Sequence, residues 1–127
     1  SNVNVIFSVD GDEYAVEQFK IGFHQPVDNL KNQPEGEVRG GRIMITLSQT
    51  VKSNIYGWAV KPWEKKNGAV LFKTGTSGVI FEVAFTNAYC TKLHRAINMG
   101  QGLSTTLVLS PESVNVNGID FDNQWVK

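Results

Sequence analysis

The chain has few of the residues that build covalent or metal-bound frameworks. It has one cysteine in 127 residues, Cys90, which excludes an internal disulfide and a site with several thiolate ligands. The twelve acidic residues are scattered, so no pair of carboxylates suggests glycoside hydrolysis. No apolar run approaches the roughly 20 residues that cross a bilayer. We therefore expect no membrane insertion.

An excess of charge of one sign is also missing. Twelve Lys and Arg residues balance twelve Asp and Glu residues, and the formal net charge is +0. A balanced charge provides no general attraction to a phosphate backbone, so we expect no nucleic-acid partner. Nothing long-range keeps copies of the chain apart, and self-association is permitted. Because no basic segment followed by an apolar run marks a secretory signal, we expect synthesis in the cytoplasm.

Alternation of apolar and polar residues covers most of the chain and predicts a mainly β domain spanning residues 1–127. The apolar residues change parity after Val16, which predicts a β-bulge near Glu17 and Gln18. Asp10-Gly11 and Asn117-Gly118 are tight-turn signals. The predicted strands cover residues 3–9, 14–24, 42–48, 69–73, 79 to about 90, 103–110 and 113–116. This pattern is typical of an antiparallel β-barrel or sandwich.

One segment, from about Val51 to Lys61, predicts a short helix. Its apolar residues, Ile55 and Trp58 among them, recur at spacings of three and four, and Pro62 ends the run. Gly57 inside it costs about 1 kcal/mol relative to alanine. We therefore expect the helix to depend on docking its Ile55–Trp58 face against the sheet.

A long connection from about Asp28 to Gly41 does not fit a minimal β domain. Leu30 and Val38 are its only apolar residues. A connection of this length without its own structure is uncommon in compact domains. It is either a solvated surface loop or an extended arm that becomes ordered against another chain.

Candidate catalytic and cofactor sites are weak. Residues 36–42 are glycine-rich, but no Lys-Ser/Thr follows and the next element is a strand, whereas a phosphate cradle needs a helix. Cys90, His94 and His24 offer at most three metal ligands without a paired motif. We interpret Cys90 as a packed thiol, and we predict no catalytic residue, metal or cofactor.

Several short motifs occur along the chain in a distinctive order: Phe23-x-Gln25-x-x-Asp28, Pro34-x-Gly36-Glu37-Val38-Arg39-Gly40-Gly41-x-Ile43-x-Ile45, Trp58-x-x-x-Pro62, Gly68-x-Val70-x-Phe72, Phe85-x-Asn87-Ala88-Tyr89-Cys90 and Asn123-x-Trp125. In their joint order these motifs resemble the hemolysin-coregulated protein family (Hcp, TssD), the tube protein of type VI secretion, and specifically its Bacteroidota-type branch. They extend over nearly the whole chain. Residues 92–102 carry no matching motif.

The resemblance implies a phage-tail-tube-like β-barrel with a flanking helix and a structural role without enzymatic activity. Six copies would form a ring, and rings would stack into a hollow tube. Contraction of the type VI sheath would expel this tube with its spike and effector proteins, without a signal peptide. The partners implied are therefore the chain itself, the sheath, the spike and effectors.

Two groups of residues follow from combining the resemblance with the local pattern. The predicted subunit and ring interface consists of Asp28, Pro34, Gly36, Glu37, Arg39, Gly40, Gly41 and Arg42. The predicted core and helix-docking residues are Ile55, Trp58, Phe72, Phe85, Tyr89 and Trp125.

Two other functions remain as alternatives. Trp58, Trp63 and Trp125 are candidates for the sugar-binding platform of a monomeric β-sandwich that binds carbohydrate or protein, although such aromatic residues are more often packing residues. An enzyme using Cys90 and His94 is the weaker alternative.

Overall fold

The computed structural model describes residues 3–24, 27–28, 33–34, 39–75, 78–100 and 102–122. Ten strands and one helix follow one another along these residues. In chain order they are β1 (Val3–Val9), β2 (Asp12–His24), β3 (Val27–Asp28), β4 (Gln33–Pro34), β5 (Arg39–Leu47), α1 (Ser53–Val60), β6 (Lys66–Thr74), β7 (Gly78–Asn98), β8 (Gly102–Ser110), β9 (Ser113–Val116) and β10 (Ile119–Asp122).

The strands form a closed antiparallel barrel, which confirms the predicted fold class. The order around it is β7, β6, β1, β2, β5 and β8, and β8 pairs again with β7. Beside the barrel, β9 pairs with β7, and β10 lies outside β9. Closure leaves few strand edges without a partner, which limits uncontrolled pairing with other chains.

Two long strands, β2 and β7, each run through both sides of the barrel. The first half of β2 pairs with β1, and residues 16–24 pair with β5. The first half of β7 pairs with β6 and β9, and residues 89–98 pair with β8. We call β1, β6, β9, β10 and the first halves of β2 and β7 sheet A. Residues 16–24 of β2, with β5, β8 and residues 89–98 of β7, are sheet B.

The predicted turns and the predicted bulge are confirmed. Asp10 and Gly11 have φ values of 55° and 78°, and Asn117 and Gly118 have values of 50° and 101°. Positive φ at both central residues is typical of hairpin turns whose twist matches the strands. The pairing of β2 with β5 shifts register between Val16 and Gln18. This bulge lets β2 present core residues before and after the parity change.

The helix is shorter than the predicted Val51–Lys61. It begins at Ser53, because Lys52 has an extended backbone and provides no side-chain cap. It ends at Val60, and Lys61 is extended with φ −107° and ψ 102°. Pro62 explains this end, since a proline disfavours helical backbone in the residue before it.

The sequence predicts a strand that ends near Cys90, and this end is wrong because β7 continues to Asn98. Register shifts interrupt the alternation of β7 at two places. One lies opposite Lys66 to Gly68 of β6, and the other lies between Cys90 and Lys92 of β7. The segment after the second shift owes its extended conformation to pairing with β8, which a local pattern does not reveal.

The prediction that residues 28–41 form a connection without its own structure is also partly wrong. Residues 27–28 and 33–34 pair as β3 and β4, and β5 begins at Arg39. A Cβ at the buried Gly41 would lie 2.7 Å from the carbonyl oxygen of Gly22. The lack of a side chain at Gly41 therefore lets the start of β5 approach β2. The remaining residues of the predicted arm lie outside the described residues.

The core lies between sheets A and B and under the helix. Phe7 stacks on Phe85 at 6.2 Å between ring centroids, and Trp58 stacks on Phe85 at 6.5 Å. All three rings are buried. Within the described residues, no helix is long and apolar enough to span a membrane.

Candidate assembly interface

Sheet B ends in two strand edges that are open to another chain. Within the described residues, no strand pairs with residues 18–22 of β2 on the side away from β5. Likewise, no described strand pairs with residues 91–97 of β7 on the side away from β8. An open edge presents backbone N–H and C=O groups in a row that a further strand can pair with.

The two open edges run in opposite directions. Each of the three pairings in sheet B, β2 with β5, β5 with β8 and β8 with β7, is antiparallel. Four alternating strands therefore place one edge strand upward and the other downward. When copies are related by rotation, the β2 edge of one meets the β7 edge of the next in antiparallel orientation. Sheet B can thus continue through a ring with no change in strand alternation.

The two rims of sheet B differ. The end of β2 and the start of β5, which flank the predicted arm, lie at one rim. The tip of the β7–β8 hairpin lies at the other, because β8 is antiparallel to β5. At this tip Ile97 is 78% exposed and Met99 is 96% exposed. Large apolar side chains this exposed mark a surface that another molecule can cover.

The structure separates the predicted interface residues into three groups. Asp28 pairs with Gln33 and Pro34 with Val27, whereas Gly36 and Glu37 lie outside the described residues. Arg39, opposite His24, and Gly40 belong to the start of β5.

Gly41 is buried and serves packing within the subunit. Arg42 is exposed opposite Gly22.

The predicted docking residues lie mostly around the helix. Ile55 and Trp58 are completely buried, and the Trp58 indole Nε1–H donates a 2.9 Å hydrogen bond to the Ala88 carbonyl oxygen. Phe85 is 2% exposed beneath this indole.

Two of the remaining predicted core residues lie away from the Trp58 contact. Phe72 is half-buried and meets Phe19 edge to face at 5.8 Å. The ring of the half-buried Tyr89 lies 5.7 Å from the Lys65 Nζ. Trp125 lies outside the described residues.

A charged cluster fastens the helix to the β1–β2 turn. The Asp10 carboxylate accepts hydrogen bonds from Lys66 at 2.5 Å and from Asn54 at 2.7 Å, and Lys52 pairs with Asp12 at 2.6 Å. The hydrogen bond from Lys66 lowers the pKa of Asp10 below its usual 3.8, outweighing burial, which raises it. Because the groups are partly exposed, the individual pairs contribute little, and their effect lies in orienting the helix.

The Cys90 thiol has the properties of a packing residue. It is buried, it donates a long 3.4 Å hydrogen bond to the Lys92 carbonyl oxygen, and burial raises its pKa to about 11. A nucleophilic or metal-binding cysteine requires a lowered pKa. Cys90 faces the interior whereas His94 lies on the exposed side of β7.

Of the three tryptophans predicted as a platform in the binding-module alternative, the two that the structure describes do not form one. Trp58 is buried with its indole N–H bonded, while Trp63 is 71% exposed at the other end of the helix region. A stacking platform needs neighbouring exposed rings.

Sequence reasoning did not locate the two open edges or the apolar hairpin tip. The signal for the tip was present, since Ile97 and Met99 stand among polar residues and glycines. The signal for the edges was not, because they depend on which strands pair.

Comparison with known proteins identifies the family. The sequence model of the hemolysin coregulated protein family, Hcp (TssD), matches residues 1–126. The chain belongs to this family. A search of curated proteins finds no match.

Solved structures share the Hcp fold. Hcp1 from Flavobacterium johnsoniae is 28% identical with a TM-score of 0.82, covering 94% of this chain and 99% of that one. Hcp1 from Salmonella typhimurium is 12% identical with a TM-score of 0.72, covering 95% and 92%. A chain in the sheath-tube complex of an extracellular contractile injection system, PVC, is 16% identical with a TM-score of 0.62, covering 93% and 88%.

Membership in the Hcp family confirms the predicted role as a tube subunit. The function of such a subunit is structural, and it is exerted through self-assembly into rings and tubes. Members of the family are secreted tube proteins of contractile injection systems.

Proposed function

We propose that this tube subunit forms a hexameric ring closed by strand pairing between neighbouring copies. The edge of residues 18–22 in one copy pairs with the edge of residues 91–97 in the next. The observation that carries this proposal is the pair of open, oppositely directed edges of sheet B. Such a heterologous contact generates a closed ring when the rotation between copies closes.

The strand count suggests the size of the channel. Four strands from each of six subunits, spaced about 4.8 Å apart, close a circle about 37 Å across between opposite backbones. Sheet A and the helix lie on the other side of sheet B. Because a ring offers more circumference outside than inside, this thicker part belongs outside. The outward face of sheet B then lines the channel.

Rings of this kind stack head to tail. The rim with the predicted arm of one ring meets the rim with the β7–β8 hairpin tips of the next. The exposed Ile97 and Met99 provide apolar surface for this contact. The described residues of the predicted interface, Asp28, Pro34 and Arg39, belong to the opposing rim in this arrangement, with Gly40 and Arg42 beside them.

The tube is assembled in the cytoplasm and expelled by sheath contraction, with a spike and effector proteins as partners. This part of the proposal rests on the family resemblance. Deleting residues 30–38, or changing Arg39 to glutamate, should leave the ring intact and shorten or abolish stacked tubes. Unchanged tube length after the deletion would make this segment a plain surface loop.

Proline substitutions on the open edge of β7 test ring closure. The N–H groups of successive strand residues point to opposite sides, so Arg95→Pro and Ala96→Pro block different sides of β7. One of the two should disrupt pairing with β8 and destabilise the subunit. The other should remain folded and lose the ring in light scattering and negative-stain images.

The matched control is Arg95→Ala, which removes the same side chain and keeps the N–H. It should form rings like the unaltered chain. A folded subunit that stays monomeric over a wide concentration range, or rings that survive in both proline variants, would overturn ring closure through these edges.

A charge change at the hairpin tip tests stacking separately. Met99→Asp, at a tip position outside the edge of residues 91–97, should preserve rings and weaken their stacking. Val60, which is 74% exposed at the end of the helix, provides the control variant Val60→Asp. Equal loss of stacking in both variants would contradict a specific role for the hairpin tip.

A further inference from the structure

The outward face of sheet B carries positive charge although the whole chain is neutral. Lys20 lies opposite Met44, Met44 opposite Val108, and Val108 opposite Lys92. Directly opposed residues in antiparallel strands have side chains on the same face. The row therefore places a lysine at each end and two apolar side chains between them. Three strand spacings separate the lysine backbones by about 14 Å.

A third cation adds to this row. Arg42 precedes Met44 by two residues, so it lies on the same face, and it is exposed. The neighbouring row is polar, with a 3.2 Å hydrogen bond between the Thr46 and Thr106 hydroxyl oxygens. We call this surface, marked by Lys20, Arg42 and Lys92, the basic face.

Acidic residues do not balance the basic face. In the part of sheet B that the structure describes, no aspartate or glutamate occupies an outward position paired with a neighbouring strand. Glu17, the nearest acidic residue before Lys20 in β2, lies at the bulge. The three basic side chains also lack an ion pair within the described residues. Their charge is therefore available to a partner.

The apolar centre of the face has room for a side chain. A groove of about 180 Å³ is lined by Met44, Lys92, His94, Thr106 and Val108. This volume is below the roughly 300 Å³ at which pockets begin to hold drug-sized ligands. A groove of this size next to cations suits one apolar side chain flanked by carboxylates.

We infer that the basic face binds a protein segment in which acidic residues flank apolar ones. Complementary charge draws such a segment to the face and orients it, while the Met44–Val108 groove receives an apolar side chain. A nucleic acid fits less well, since no Phe, Tyr or Trp lies in the described rows that contain Lys20, Arg42 and Lys92; the outward Tyr89 lies opposite Ser110, with its ring beside Lys65. The inference rests on the proposed ring for its consequence, that the channel selects acidic cargo.

Binding to a defined peptide tests the inference. The probe is a fluorescent peptide in which glutamate alternates with leucine, and its counterpart has glutamine at each glutamate. Fluorescence anisotropy should show binding of the glutamate peptide that weakens with salt, and at least tenfold weaker binding of the glutamine peptide. Equal binding of the two peptides would overturn the inference.

Substitutions locate the binding surface. The triple variant Lys20→Gln, Arg42→Gln and Lys92→Gln should bind the glutamate peptide at least tenfold more weakly than the unaltered chain. Lys73→Gln, on the outward side of sheet A, removes one lysine charge outside the basic face and should bind normally. Met44→Glu provides a second variant that should also lose binding. Normal binding by folded triple and Met44→Glu variants would overturn the inference.

Two further measurements separate the inference from the proposed ring. Light scattering reports the assembly state of every variant, and Met44→Glu, in β5 and away from both open edges, should still form rings. Peptide binding by a strictly monomeric chain would support the inference and contradict the ring. Rings without peptide binding would support the ring and overturn the inference. Tighter binding of an oligothymidine strand than of the peptide, lost in the triple variant, would assign the face to nucleic acid and overturn the inference.

Discussion

The indole N–H of Trp58 donates its hydrogen bond to the Ala88 carbonyl oxygen at the point where β7 changes partners. Ala88 is the last β7 residue paired with β6, opposite Lys66, and pairing with β8 begins at Tyr89. The helix is therefore attached at the junction of sheets A and B. This contact links the short helix to the geometry of the open β7 edge.

Replacing Trp58 should destabilise the subunit strongly. Trp58→Ala removes a fully buried ring and its hydrogen bond, and truncating a buried aromatic costs about 3–5 kcal/mol. The free energy of unfolding from denaturant titration measures this loss. Trp58→Phe keeps an aromatic ring over Phe85 and should be milder, because it loses the hydrogen bond and part of the packing. An unchanged unfolding midpoint in Trp58→Ala would contradict the docking of the helix through this residue.

A side chain at Gly41 should disturb the subunit itself. The Cβ of Gly41→Ala would meet the Gly22 carbonyl oxygen at 2.7 Å and the Ile21 Cγ1 at 2.9 Å. Overpacking of this kind costs about 1–3 kcal/mol. A Cβ at Gly22 meets nothing within 4 Å, so Gly22→Ala is the matched control and should leave the melting temperature nearly unchanged. Equal melting temperatures for Gly41→Ala and the unaltered chain would show that β5 relaxes without cost.

Acid should loosen the contact between the helix and the β1–β2 turn. Because the folded-state pKa of Asp10 is lowered, its contribution to stability is present above the unfolded value near 3.8 and is lost as the pH falls through the folded value. Asp10→Asn should therefore lower the melting temperature at pH 7, and the difference should shrink toward pH 2. A constant difference at all pH values would contradict an ionic origin.

Cys90 should be chemically inert in the folded subunit. A pKa of about 11 in place of 9.0 reduces the thiolate fraction at neutral pH by about a hundredfold. Burial slows thiol reagents further. Labelling should be slow until the chain unfolds, and Cys90→Ala should assemble normally. As a control, Lys65→Cys at an exposed position in the Cys90→Ala background should label rapidly. Fast labelling of native Cys90 would reopen a catalytic or metal-binding interpretation.

Much of the barrel was predictable from short-range pattern. Alternation located β1 correctly, and the parity change after Val16 located the bulge. The Asn117-Gly118 turn was recognised because these residue types tolerate positive φ. The two-residue strands β3 and β4 were not predicted, and neither was the last strand, β10. Short strands carry too few residues for alternation to stand out.

The candidate interface was less accessible to sequence reasoning. The family motifs around Gly41 suggested a contact between subunits, whereas Gly41 serves packing against β2. Glycine is needed at position 41 because another strand approaches closely. The sequence alone does not distinguish this reason for a glycine from a turn. The second half of β7 was missed for a related reason, since its extended shape depends on β8, beyond the hairpin tip.

By itself, the sequence determined the mainly β character, most of the turns and the amphipathic helix, because each depends on residues a few positions apart. Only the tertiary structure decided that β2 and β7 are shared between sheets A and B, which edges stay open, and that Lys20, Arg42 and Lys92 gather on one face. These features depend on register between distant strands. A shift of one residue in a register moves a side chain to the opposite face, so local pattern alone does not set them.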